Sequence, residues 1–118
     1  MKMTESLFKV KSMDLYEIAD QASLADEKWV LAQDTYLQQK SLLETIEKEL
    51  FLFNREGNSI AVAEALCRTD KRYIEHRNKL NISETKAKGW KITYDKWLNF
   101  FQAKTMEISV SKHERKLV

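Results

Sequence analysis

Residues 12–53 read SMDLYEIADQASLADEKWVLAQDTYLQQKSLLETIEKELFLF, a stretch without a single Gly or Pro. Every seventh residue along Leu15, Ala22, Trp29, Tyr36, Leu43 and Leu50 is apolar, and a companion line three positions on runs through Ile18, Ala25, Ala32, Gln39, Ile46 and Phe53. Eleven of these twelve positions are apolar, with Gln39 the exception. A repeat of 3.5 residues keeps one narrow stripe facing a partner, so the stretch predicts a long helix packed along one seam. Ser12 stands as the expected N-cap, with Asp14 in the first turn where the helix dipole favours negative charge.

Immediately beyond, Asn54-Arg55-Glu56-Gly57-Asn58-Ser59 is a turn signal, with Gly57 suited to a positive φ and Asn58 or Ser59 able to cap the next helix. Ile60 to Cys67 is short and nearly all apolar, which predicts a buried helix of a turn or two. Thr69-Asp70 offers an N-cap for a second long helix. Its seam line is Tyr73, Leu80, Ala87, Tyr94, Phe101 and Ile108, and its companion line is His76, Ser83, Trp90, Trp97 and Lys104, aromatic in the middle and polar at both ends. Gly89 falls inside this helix at a propensity cost of roughly 1 kcal/mol relative to Ala. It marks either a kink or close approach of backbones, or a tolerated helical Gly.

The expected fold is all-α: a long antiparallel helical hairpin with a short helix after the bend, oligomerising. Within a single domain of 1–118, residues 1–11 are a flexible N-terminus, 12–53 a helix, 54–59 the bend, 60–67 the short helix, 70–110 the second long helix and 111–118 a basic tail. Two helices of about 40 residues, rising ~1.5 Å per residue, would extend on the order of 60 Å. Leu24, Leu31, Leu37, Leu42, Phe51, Leu52, Leu98, Phe100, Met106 and Val110 lie off the seams and want a partner surface, which predicts a homo-oligomer.

Composition excludes much else. The chain has 118 residues, no Pro and two Gly, too few turn formers for a sandwich, barrel or Rossmann sheet. The single Cys67 cannot form an intrachain disulfide. Met1 to Val10 carries Lys2, Glu5 and Lys9 without an apolar run, so neither signal peptide nor membrane span is expected. The sequon Asn81-Ile82-Ser83 then lacks an export route, and a reducing cytoplasm is the expected compartment.

Charge is distributed unequally along the chain. Residues 1–67 carry 7 basic and 12 acidic side chains, a balance of −5, whereas residues 68–118 carry 13 basic and 6 acidic, a balance of +7. Two readings account for this asymmetry. An acidic helix beside a basic one can form inter-helix ion pairs that set the register. Alternatively, cations facing away from the seam collect on one surface and hold phosphates. Arg68, Lys71, Arg72, Arg77 and Lys79 lie close to the bend and are the candidate phosphate contacts, within a cationic stretch that also holds Lys86, Lys88 and Lys91. Trp90, Tyr94, Trp97 and Phe101 sit on the seam, where aromatics are core more often than stacking platforms for bases. Phe51 and Phe53, at the mouth of the bend, stay open between the two.

No catalytic constellation emerges. The chain has no Gly-rich phosphate loop, GxSxG elbow, HExxH helix or CxxC pair. Cys67, Asp70 and His76 match no standard metal-ligand spacing, and Cys67 ends an apolar run where Cys acts as a small hydrophobe. Asp26-Glu27 and Glu47 with Glu49 read as a solvated helix face, and His113 as a solvated side chain. The reading is a non-enzyme without metal or cofactor.

Phe51-Leu52-Phe53 closing the first helix, the bend Asn54-Arg55-Glu56-Gly57-Asn58, the restart at Asp70-Lys71-Arg72-Tyr73 and the aromatics Trp90, Trp97, Phe100 and Phe101 together resemble the UvsY recombination-mediator family of T-even phages. The likeness is one of layout and covers roughly residues 25–116. It implies a non-enzymatic, ring-like homo-oligomer that binds single-stranded DNA and helps load a RecA-like recombinase onto DNA coated by single-strand-binding protein. In that family the DNA contacts lie just before and within the bend. Lys48 and Arg55 occupy the matching positions, flanked by Glu49 and Glu56, while Arg68, Lys71, Arg72 and Arg77 carry the richer charge. Phe101, Met106, Ile108 and Val110 fall where the family assembles. The expected function is therefore recombinase loading in phage recombination or replication, in the host-cell cytoplasm. The alternatives are a coiled-coil adaptor or inhibitor acting on a protein without DNA, and a structural accessory of a virion.

Overall fold

A computed structural model describes residues 12–117, and side chains as far as Glu114. The described residues form three helices, α1 (Leu15–Arg55), α2 (Ile60–Thr69) and α3 (Lys71–Leu117), with no strand among them. The all-α class and the helical-hairpin plan are those expected from the heptads. The proposed flexible stretch 1–11 lies outside the described residues, as do the side chains of Arg115 and Lys116. Among the described residues no helix is long and apolar enough to cross a membrane.

The element boundaries refine the expectation. Asp14, and not Ser12, caps α1: its carboxylate accepts from the Glu17 N–H at 2.8 Å and its carbonyl from the Ile18 N–H at 3.2 Å. An acid is the better cap here because it satisfies a free N–H and also opposes the positive end of the helix dipole. At the other end, 111–117 is not a separate tail, since α3 continues through Leu117.

The chain divides into two compact units. One comprises residues 30–88: the second part of α1, the bend, α2 and the first part of α3. Its seam holds Leu43, Ile46, Leu80, Ser83 and Ala87 buried, with Ala32, Tyr36, Gln39, Leu50, Tyr73 and His76 half-buried. At the bend Gly57 has φ +77°, the left-handed conformation that Gly adopts without Cβ strain. The turn is tied by side chains reaching backbone carbonyls: Asn54 Nδ2 donates to Leu50 O at 2.8 Å, Asn58 Nδ2 to Asn54 O at 2.8 Å, and the Arg55 guanidinium to Asn58 O. Ser59 then caps α2, accepting from the Val62 N–H at 3.3 Å.

α2 departs from its sequence reading. It buries only Ala63 and Cys67, one helical turn apart, and leaves Ile60, Val62 and Leu66 exposed. A helix this short covers a single i, i+4 stripe, so an apolar composition alone does not bury its other faces. Phe53, expected on the seam, is 78% exposed. α2 meets α1 one turn and a half earlier, where the Cys67 thiol lies 3.9 Å from the Glu47 carbonyl, and the end of α1 runs on past that contact.

The second unit comprises the chain up to Trp29 together with the chain from Gly89 onward. Ile18, Ala22 and Ala25 are buried in it. Trp29 stacks on Tyr94 with centroids 5.9 Å apart, Trp97 meets Phe100 edge-on at 5.6 Å, and the Lys28 ammonium sits 4.8 Å from the Trp90 ring centroid. Trp90, Tyr94, Trp97 and Phe101 are each half-buried, so the seam covers these rings only in part. Ile108 departs from the seam and is exposed.

Gly89 lies in an uninterrupted helix, and a Cβ added to it would meet nothing within 4 Å. The close-approach reading is thereby removed. Gly89→Ala should raise the unfolding free energy by about 0.5–1 kcal/mol, because Ala loses less backbone entropy on folding. Thermal unfolding checks this, and a lowered midpoint would show that the position needs Gly for a reason other than space.

Candidate nucleic-acid interface

All seven candidate DNA-binding residues fall in the unit of residues 30–88, yet they do not converge on one point. Lys48 and Arg68 line a groove of about 390 Å³ together with Glu47, Phe51, Glu64, Cys67 and Tyr73. Two cations and two carboxylates share this groove, so its field is mixed. The same surroundings act on Cys67: burial pushes its thiol up from the ordinary value, and the negative charges of Glu47 and Asp70 add to that, while Arg68 opposes them. A thiol held protonated is a poor nucleophile.

Arg55 and Arg72 hold structural contacts. Arg55 fastens the bend through the Asn58 carbonyl, and Arg72 pairs with Glu49 at 3.0 Å across α1 and α3. Among the described residues of this unit, that is the one ion pair between the two long helices. A second pair, Lys88 with Glu84 at 2.9 Å, lies within α3 and holds the Lys88 ammonium above its ordinary pKa through hydrogen bond and charge. Arg68, Lys71, Arg77, Lys79 and Lys86 are exposed and engage no acid within ion-pair distance among the described residues. An acidic helix neutralising a basic one therefore accounts for little of the charge asymmetry in this unit. Exposed pairs of this kind contribute roughly 0–1 kcal/mol in any case.

Lys79 lines a second groove, of about 320 Å³, with Ala32, Thr35, Gln39, Ile82, Ser83 and Lys86. Lys86 belonged to the cationic stretch in the sequence but not to the candidate site. The overlooked signal was its spacing: seven residues from Lys79, it shares a seam-flanking position and so the same side of the helix.

The candidate assembly residues stand apart, in the other unit. Phe101 is half-buried on the seam, and Met106, Ile108 and Val110 are exposed. Leu24, Leu31, Leu37, Leu42 and Leu52 are likewise exposed, as expected for residues off the seam, whereas Phe51, Leu98 and Phe100 are half-buried. Cys67, Asp70 and His76 come from adjoining turns, and among the described residues no group of three or more His, Cys, Asp or Glu side chains is placed to hold a metal ion. No family model, curated protein or solved structure matches this chain.

Proposed function

We propose that this chain is a non-enzymatic single-stranded-DNA-binding protein that acts as a recombination mediator. The observation that carries the reading is the set of cations in residues 68–86 that face solvent without acid partners in the same unit. Exposed, uncompensated Lys and Arg neutralise phosphates and release counterions, a sequence-independent source of affinity. The resemblance to the UvsY family adds the task, helping load a RecA-like recombinase onto DNA coated by single-strand-binding protein, and the homo-oligomer in which it is done. In such an assembly each copy contributes one weak site, and simultaneous engagement of a strand raises the effective affinity by orders of magnitude.

A second reading, a coiled-coil adaptor or inhibitor that binds a protein and not DNA, is favoured by one observation. Ile60, Val62 and Leu66 on α2 and Leu52 and Phe53 at the end of α1 present apolar side chains to solvent in the same unit. Light scattering on the purified protein, alone and with a fluorescent poly-dT oligonucleotide at low and moderate salt, separates the readings. A closed oligomer that binds the oligonucleotide and releases it as salt rises supports the mediator. Indifference to the oligonucleotide at low salt supports the adaptor.

A further inference from the structure

We propose that the groove lined by α1, α2 and the start of α3 takes a guanine base of the bound strand, stacked on aromatic side chains and read by carboxylates. This rests on the single-strand reading above and adds a base preference, which phosphate contacts do not supply.

Glu47, Lys48 and Phe51 of α1, Glu64 and Arg68 of α2 and Tyr73 of α3 line this groove of about 390 Å³, a volume at the small end of ligand sites. The four charges sum to zero, so net charge does not decide what the groove takes. Nor do they satisfy one another. Glu64 and Arg68 stand four residues apart on α2, a spacing at which ion pairs close, yet none of the four comes within ion-pair distance of a partner among the described residues. Donors and acceptors therefore stand ready for a ligand that is itself neutral and carries both. Guanine is such a ligand. Its N1–H and 2-amino group are adjacent donors that match the two oxygens of one carboxylate, and its O6 and N7 are adjacent acceptors of the kind Arg or Lys serves. Thymine has one imide N–H between two carbonyl oxygens, and adenine and cytosine each place a ring acceptor beside the amine; a carboxylate is repelled by these neighbours. Phe51 and Tyr73, both half-buried, supply the aromatic wall on which single-strand binders stack bases. Lys71 and Arg77, exposed in the same unit, remain for the phosphates.

The test is fluorescence anisotropy across a salt series with three oligonucleotides of equal length: oligo-dT, the same strand with isolated dG at regular intervals, and that strand with deoxyinosine in place of each dG. Inosine keeps O6, N7 and N1–H but lacks the 2-amino donor. The wild-type chain should bind the dG strand about fivefold tighter than oligo-dT, the low end for one bidentate base contact, with the inosine strand weaker than the dG strand. Glu47→Gln with Glu64→Gln keeps side-chain size and breaks no ion pair, which circular dichroism verifies through unchanged helicity. This variant should bring the dG strand to within about twofold of oligo-dT, because an amide offers one acceptor where the carboxylate offered two. If the wild type binds with a salt slope but shows no dG preference, or inosine matches dG, or the double Gln variant keeps the full preference, the guanine site is overturned and the broader DNA reading survives. If the wild type binds none of the three at low salt, both fall together.

Discussion

Replacing Arg68, Lys71, Arg72 and Arg77 together with Ala is expected to flatten the slope of log affinity against log salt for oligo-dT by about 2, the share of the three among them without an acid partner, and to weaken binding at low salt by orders of magnitude. The magnitude comes from counterion release, at roughly 0.7 per phosphate contact on a single strand. The structure says why the variant should still fold. Arg68, Lys71 and Arg77 are exposed, and the Arg72–Glu49 pair is itself about half exposed, with side-chain exposures of 52% and 55%. Removing such a pair changes stability by about 1 kcal/mol at most. Circular dichroism verifies the helices, and an unchanged salt slope with intact helicity would reassign these residues to solvation alone.

Ile46→Ala should lower the unfolding free energy by about 2–5 kcal/mol, much the larger of the stability effects considered. Ile46 is 1% exposed and, with Ile18, is one of the two largest fully buried side chains among the described residues. Truncation removes apolar burial and leaves a void that a rigid helix pair cannot fully collapse. Leu31→Ala is the matched comparison, since Leu31 is 64% exposed and a surface truncation lies within about 0.5 kcal/mol. Chemical denaturation of both variants at several protein concentrations gives the answer. Equal midpoints would mean that the heptad seam does not hold the unit together, whereas a Leu31 cost that grows with concentration would reveal a second copy covering that face.

Heptad spacing located the covered stripe in both long helices, except at Phe53 and Ile108, which are exposed. The bend was legible because Gly57 is a backbone requirement that residue identity alone expresses. The faces of α2 were not, because Ile60, Val62 and Leu66 are as apolar as Ala63 and Cys67, and only a neighbour's position distinguishes them. The candidate DNA residues were legible as charge, yet Arg55 and Arg72 turned out to hold carbonyl and carboxylate contacts, and Lys86 entered the groove that Lys79 lines.

The sequence by itself determined the helices, their seams and the turn, because those depend on periods of a few residues and on one glycine's dihedral freedom. Only the tertiary structure decided which cations have acid partners and which apolar side chains stay exposed. Each of these depends on which side chains meet across helices from distant parts of the chain, and a register of that kind has no local signature.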